Sequence, residues 1–339
     1  MPTDAPLVVL QSFPRPRRTT NPYLVMLRDG LEALPGVEVL TFSWRRALRG
    51  GYDVFHVHWP EILVNGHSPL KKLVRQVLFV LLVLRLRLTR TPLVRTVHNL
   101  HLPEGISRRE TWLLRWAERR TSLRIRINEA TEVGDGAPVA TIVHGHYRDW
   151  YGVHPRSERQ PGRLTFFGLV RRYKGVDLLV DAFEGTRDTE GLTLRIAGNP
   201  SSDELAGVLR AAAEQDGRIS LALEYLSDPD LVTEVSAAEL VVLPYREMHN
   251  SGGALTALSL DTPVLVPDNE ANRGLSDEVG PGWVHRYSGA LTAEHLTGAL
   301  EALRAAPPAA APDLGRRDWS RVGEAHVAAY REALAAVRG

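Results

Sequence analysis

Arg171, Arg172 and Lys174 sit between Gly168 and Gly175, after the apolar run Leu164–Phe167. Val176, Leu178, Leu179 and Phe183 then recur at near-helical spacing. A basic turn feeding a helix start is a ready anion site, because free backbone N–H groups and the helix dipole both point at the ligand. Asn250, Ser251, Gly252 and Gly253 form a second such start, after the buried strand Leu240–Pro244. Two anion-holding helix starts in one half of the chain suit a diphosphate better than a solvated turn. A different chemistry is offered in the first half. His58 and Glu61 close the run Asp53–His58 and its Trp59-Pro60 turn, and His98 closes Pro92–His98. In an open α/β sheet, ligands bind beyond the carboxyl ends of the strands. His58, Glu61, His98 and Glu104 are therefore placed where acid–base chemistry could happen, a task for a part-buried carboxylate or an imidazole. The bland readings, a packing histidine and a surface carboxylate, stay open.

The elements that must position these groups alternate along the whole chain. Strands are expected at Leu7–Leu10, Val37–Phe42, Asp53–His58, Pro92–His98, Leu123–Ile127 and Val139–His144, separated by helical patterns, as in a doubly wound domain. The second half repeats the scheme with strands at Leu164–Phe167, Leu192–Ala197, Ile219–Glu224, Leu240–Pro244, Pro263–Val266 and Trp283–Tyr287. The 339 residues read as an N-terminal domain over 1–155, a Pro/Arg/Ser linker at His154–Gly162, and a C-terminal domain over 160–315. A last helix spans 318–339 and carries Trp319 and Tyr330. The loop Gln11–Pro22 holds Arg15, Arg17 and Arg18 among prolines and lacks a glycine-rich dinucleotide fingerprint. Ser107 and Glu110 form a capping box.

Charge is unevenly spread. Residues 1–155 hold 22 Lys+Arg against 13 Asp+Glu, whereas the remainder holds 19 against 27. A basic first half calls for an anionic partner: lipid, lipid phosphate, acidic glycan or nucleic acid. No nucleic-acid motif accompanies it, so no nucleic acid is expected. In Pro69–Arg90, Lys71, Lys72, Arg75 and Gln76 mark one face before Val77–Leu84 turns apolar all round. That run is too short to span a bilayer; it suits either an interfacial helix or a core helix. Cysteine is absent, which excludes thiol chemistry and disulfides. The N-terminus shows no secretory pattern, so a cytoplasmic protein is expected, with possible contact at the inner membrane face.

FFGLVRRYKGVDLLVDAF, RIAGNP, EYLSDPDL and LVVLPYREMHNSGGALTALSLDTPVLVPD follow one another in the order shown by GT-B glycosyltransferases, and the chain resembles that family over nearly its whole length. VHWPE, TVHN and IVHGHY are similar to segments of a smaller subgroup. The resemblance implies two Rossmann-like domains facing across a cleft, an α/β fold. It implies a donor diphosphate at Gly168, Arg171, Arg172, Lys174 and Asn250–Gly253, and nucleoside or sugar contacts at Asn199, Tyr225, Leu226, Tyr245 and Thr256. The acceptor would meet Arg15, Arg17, Asn21 and Trp59. No metal is implied; Asp228-Pro229-Asp230 has metal-motif spacing but sits at a helix start. Two departures from the common retaining pattern stand out. Leu169 replaces an arginine after the first glycine, and Met248 and Thr256 replace two glutamates, with Glu247 a substitute for the first. YKG and NSGGALTAL look instead like bacterial exopolysaccharide mannosyltransferases. The resemblance therefore implies transfer of mannose from GDP-mannose, with inversion, to a glycan or lipid-linked acceptor, with Glu61 as base and His58 and His98 positioning the sugar. The alternatives are a retaining enzyme with another nucleotide sugar, or a non-catalytic nucleotide-binding partner.

Overall fold

The computed structural model describes residues 5–17, 19–99, 102–103, 105–134, 136–246 and 252–339. Arg18, Glu104, Glu247, Met248, Asn250 and Ser251, named above, lie outside the described residues. The chain divides into two units: residues up to Gly145 together with Arg316–Gly339, and His146–Gly315.

The first unit is built on strands β1 (Leu7–Gln11), β2 (Val37–Leu40), β3 (Val54–Val57), β4 (Leu93–Val97), β5 (Leu123–Arg126) and β6 (Val139–Thr141). They form one sheet in the order β2-β1-β3-β4-β5-β6. Every neighbour pairs in parallel. Parallel strands covered by helices on both faces read as continuous apolar runs, and β3 is buried along its whole length. The order reverses direction at β1/β3, where Gln11 pairs with His56. The second unit carries β7 (Arg163–Phe167), β8 (Thr193–Ala197), β9 (Ile219–Ala222), β10 (Leu240–Val242), β11 (Val264–Pro267) and β12 (Val284–Tyr287). Their order is β12-β11-β10-β7-β8-β9, again parallel throughout, with the reversal at β10/β7. Such a reversal opens a crevice at the carboxyl ends of two adjacent strands.

Helix caps follow the sequence closely. The Asn21 side chain accepts from Tyr23 N–H at 3.0 Å and starts the helix Pro22–Glu32. The Ser107–Glu110 capping box opens Arg108–Glu118, and its Glu110 also pairs with Lys72 at 2.6 Å. The last helix, Trp319–Arg338, packs along Pro22–Glu32 in the first unit. Gly30 and Gly323 allow that close approach: a Cβ on Gly323 would lie 2.9 Å from the Gly30 carbonyl oxygen.

The helix Pro69–Leu88 settles between the two readings of its sequence. Phe79, Leu82, Val83 and Leu86 are in the core, while Leu70, Leu73, Val74, Val77, Leu81, Leu84 and Leu88 are exposed. Gln76, expected on the polar face with Lys71 and Lys72, is instead buried and donates to the Val64 carbonyl at 3.4 Å. The apolar stretch is wide enough to fill the core on one side and still coat the other. Among the described residues, no helix is long and apolar enough to cross a membrane.

Candidate active site

In the second unit the chemistry gathers at the β10/β7 reversal. β7 ends at Phe167, and Gly168 N–H donates to the Ala197 carbonyl at 2.9 Å. A short 3-10 turn, Arg172–Lys174, leads into the helix Val176–Glu184. Gly175 joins them with φ +66°, and a Cβ there would lie 2.2 Å from the Pro244 carbonyl oxygen. Only glycine lets the turn press against the end of β10 in this way. Gly198, at φ +146°, lies just as close to the end of β7: its Cβ would fall 1.8 Å from the Gly168 carbonyl oxygen. The three strand ends are thereby drawn together around Lys174. Its ammonium lies 5.0 Å from the Tyr245 ring centroid, a cation–π arrangement on a buried aromatic. It also lies 3.7 Å from where a Gly168 side chain would begin. Burial, assisted by Arg171, pulls the Lys174 pKa down to about 8. A half-desolvated cation at a strand end is poised for an anion.

The neighbouring residues divide. Arg171 adds its charge to that of Lys174, whereas Arg172 is committed to a surface ion pair with Glu204 at 2.8 Å. Asn199 is exposed beyond β8, and its carbonyl accepts from Val170 N–H at 3.0 Å. Tyr225 is exposed and Leu226 half-buried beyond β9. Thr256 is buried and lies against the Tyr151 hydroxyl. Gly252 and Gly253 open the helix Gly252–Ser259. Sequence reasoning passed over Arg246, whose N–H donates to the Tyr173 carbonyl at 3.0 Å and whose guanidinium pairs with Asp177 at 2.8 Å. It ties the β10 end to the basic turn.

In the first unit the β1/β3 reversal holds a buried polar chain. His58 Nε2 lies 3.0 Å from Gln11 Oε1, and His58 Nδ1 lies 3.2 Å from His98 Nε2. The Gln11 amide nitrogen donates to Tyr330 Oη at 3.4 Å, Tyr330 Oη lies 2.7 Å from His56 Nδ1, and His56 Nε2 lies 2.8 Å from Thr96 Oγ1. With the Gln11 amide so oriented, the tautomers follow. His58 donates from Nε2 to Gln11 and accepts at Nδ1 from His98; Tyr330 donates to His56, which donates in turn to Thr96. Burial and neighbouring histidines hold His56 and His58 well below the usual imidazole range, and His98 falls to about 3. His144 and His326, also buried, fall to about 4. All five are neutral at pH 7. Trp59 stacks on His98 at 4.3 Å between centroids, and Tyr23 meets His58, His98 and His144.

This geometry bears unequally on the proton-transfer candidates. Both nitrogens of His58 are occupied, and His98 is too weak a base to take a hydroxyl proton at neutral pH. Glu61 heads the short helix Glu61–Val64 immediately after Trp59-Pro60, and burial raises its carboxyl pKa while Arg95 opposes the shift. His56, His326 and Tyr330 were missed as a group. Their signal was present: His56 on β3 and His58 just past its end are two residues apart in an extended run, and His326 and Tyr330 are four apart on one helix face. Asn21 serves the helix cap, and Arg15 and Arg17 are exposed on the loop before it. Among the described residues, no group of three or more His, Asp or Glu is placed to hold a metal ion.

Comparison with known proteins places this architecture. Residues 161–306 match the family model of glycosyl transferases group 1. A GDP-mannose:glycolipid 4-beta-D-mannosyltransferase of Xanthomonas campestris pv. campestris is 49% identical over 329 residues, 97% of this chain and 93% of that protein. The chain belongs to the group 1 glycosyltransferases. Its fold is GT-B: Anabaena HepE in complex with UDP superposes with a TM-score of 0.61 at 13% identity, covering 98% of this chain and 97% of that one. A glycosyltransferase of Rickettsia africae gives a TM-score of 0.61 at 9% identity, covering 97% and 99%. As a glycosyltransferase, the protein has its basic strand-end turn and its histidine-lined strand ends at the two positions where this architecture opens crevices.

Proposed function

We propose that this glycosyltransferase moves mannose from GDP-mannose to a hydroxyl of a glycolipid, inverting the α-linked donor to a β-mannoside. The supporting observation is the 49% identity, across both units, to a protein of that named activity. The unit His146–Gly315 binds the donor, with Lys174 and Arg171 facing the diphosphate. The other unit binds the acceptor, with Arg15, Arg17, Asn21 and Trp59 in its contact region. In the transfer, Glu61 takes the hydroxyl proton as the acceptor oxygen forms its bond to the anomeric carbon. The bond from that carbon to the diphosphate oxygen breaks, and GDP leaves with the electron pair. Lys174 stabilises the charge that develops on the leaving group, and the neutral His58–His98 pair holds sugar hydroxyls by hydrogen bonds. Lysine and helix-start N–H groups perform the task of a divalent cation, so activity without added metal is expected.

Action on a lipid-carried acceptor supports a position at a cytoplasmic membrane surface. The exposed stripe Leu70–Leu88, flanked by Lys71, Arg87 and Arg90, lies against the bilayer. The decisive experiment supplies GDP-mannose and a lipid-linked acceptor to the purified protein and reads the anomeric configuration by NMR. A β-mannoside supports the reading; an α-mannoside, or release of free mannose only, rejects it. A thermal-shift comparison of GDP with UDP, ADP and TDP tests the base: preferential stabilisation by GDP is the expected result.

A further inference from the structure

The first unit has a second basic concavity, at the end of the sheet opposite the histidines. Arg90 and Thr91 precede β4, and Arg119, Arg120 and Ser122 precede β5, so the groove opens at the amino ends of these strands. It encloses about 460 Å³. Arg87, Arg90, Arg119 and Arg120 line it, above an apolar floor that includes Val83, Leu86 and Val337. Its described walls hold no carboxylate, and none of the four arginines forms an ion pair among the described residues. Burial lowers the pKa of Arg120, and Arg87 and Arg119 are close enough to add to the shift. Arg120 is fixed by stacking on Trp116 at 4.3 Å and by donating to the Trp116 carbonyl at 3.1 Å, while its Nε is buried without a partner.

Two helices, Pro69–Leu88 and Arg108–Glu118, end here, and their dipoles account for part of this charge. Each terminus is worth about half a negative charge. Four guanidinium groups exceed that by roughly three positive charges, so the helix ends alone do not balance the cluster. Beside the groove, the exposed stripe of Pro69–Leu88 finishes at Leu84 and Leu88, the latter 84% exposed. A phosphate held by the arginines would therefore have an apolar surface directly alongside it.

We propose that this groove is a binding site for the phosphate headgroup of an anionic phospholipid, separate from the acceptor's site at the carboxyl ends of the strands. Arg87, Arg90 and Arg119 supply the charge, the fixed Arg120 supplies a planar donor fork, and Leu84 and Leu88 meet the acyl region. The site rests on the reading that the stripe faces a bilayer, and the two fail separately.

The test uses the full-length protein and its variant Arg87→Gln/Arg90→Gln/Arg119→Gln, all at exposed positions, with Leu84→Ser/Leu88→Ser as a second variant. Partition is measured by co-sedimentation with phosphatidylcholine vesicles, with and without 30 mol% phosphatidylglycerol, a lipid fraction set by the experimenter at roughly the level that gives a strong negative surface potential. Removing three charges should weaken binding to the anionic vesicles at least about tenfold, since each basic residue near such a surface is worth about fivefold. The same variant should retain the wild-type level on neutral vesicles and its turnover on detergent-dispersed acceptor. The serine variant should lose binding to both vesicle types. Wild-type partition of the glutamine variant on anionic vesicles overturns the site, even if the serine variant shows that the stripe binds lipid. Thermal protection by inorganic phosphate, lost in the glutamine variant while no vesicle is bound, overturns the headgroup assignment and the bilayer reading together.

Discussion

Lys174 carries opposed demands. Its charge is half-desolvated in the free protein, and its pKa of about 8 lies well below that of an exposed lysine. Between pH 8 and the ordinary lysine range, the unfolded chain binds a proton that the folded chain has lost. Stability contributed by this group therefore rises with pH through that window and is lowest when Lys174 is protonated. Lys174→Met should raise thermal stability, by roughly 1–2 kcal/mol once residual solvent screening is allowed for, because it removes a buried charge. The same change should lower kcat by about 100-fold or more, since the leaving diphosphate loses its cation. Calorimetry and steady-state kinetics on one sample check both; a variant that is less stable and still active would show that Lys174 is an ordinary structural lysine. The pH dependence follows from the same group. The KM for the donor should climb as pH rises through about 8, where Lys174 loses its proton, and the climb should vanish in Lys174→Arg. His98 and His144 titrate near 3 and 4 and are neutral throughout the neutral range, so no imidazole inflection should appear near pH 6.5.

At the scale of elements, the final helix does more than close the first unit. Tyr330 bridges Gln11 on β1 to His56 on β3, and through Gln11 it sets the hydrogen-bond direction at His58 and His98. Tyr330→Phe leaves the Gln11 amide and the His56 ring short of a partner inside the core. The expected cost is about 1–3 kcal/mol by denaturant unfolding, with a fall in kcat as His58 and His98 lose their fixed orientation. Loss of stability with unchanged kcat would confine Tyr330 to packing. This network also shows how far the sequence could be read. All twelve strands were legible: strands such as β3 and β10, buried along their whole length, appear as short apolar runs between turn residues, whereas the edge strand β6, with Val139 and Thr141 exposed, was legible from its place in the alternation of strands and helices. The capping box and the strand-end positions of Lys174 and His98 were legible for the same local reasons. The short helices Trp44–Arg49, Glu61–Val64 and Arg148–Tyr151 were not, being too brief to show a period. Nor was the Tyr330–His56 pairing, which joins residues far apart in the chain and depends on sheet order. Thr256 and Arg172 illustrate another limit: their positions in the chain suggested ligand contacts, but their tertiary neighbours, Tyr151 and Glu204, could not be read from the sequence.

Over the whole molecule, charge is sorted more sharply by unit than by chain half. Residues up to Gly145 with Arg316–Gly339 hold 26 Lys+Arg and 15 Asp+Glu, while His146–Gly315 holds 15 and 25. A net of +11 on one unit and −10 on the other explains why the overall +1 conveys so little. Within the acidic unit, Arg171 and Lys174 stand together at one strand end, so the anion binding proposed there would rest on local placement. In the basic unit the positive charge extends over Pro69–Leu88 and the arginine groove, so the attraction to an anionic surface proposed above would belong to the unit as a whole. Such attraction is screened over about 10 Å at 0.1 M salt and about 3 Å at 1 M. Apolar burial of Leu70, Leu81 and Leu88 is not screened. Raising salt from about 0.1 M to about 1 M should therefore release the protein from vesicles containing anionic lipid by about tenfold or more and leave its weaker partition onto neutral vesicles nearly unchanged. Leu70→Ser/Leu81→Ser should do the reverse, lowering partition onto both lipids while preserving the steep salt response. Co-sedimentation across a salt series separates these outcomes: a flat response on anionic vesicles would mean that the +11 unit meets something other than a charged bilayer.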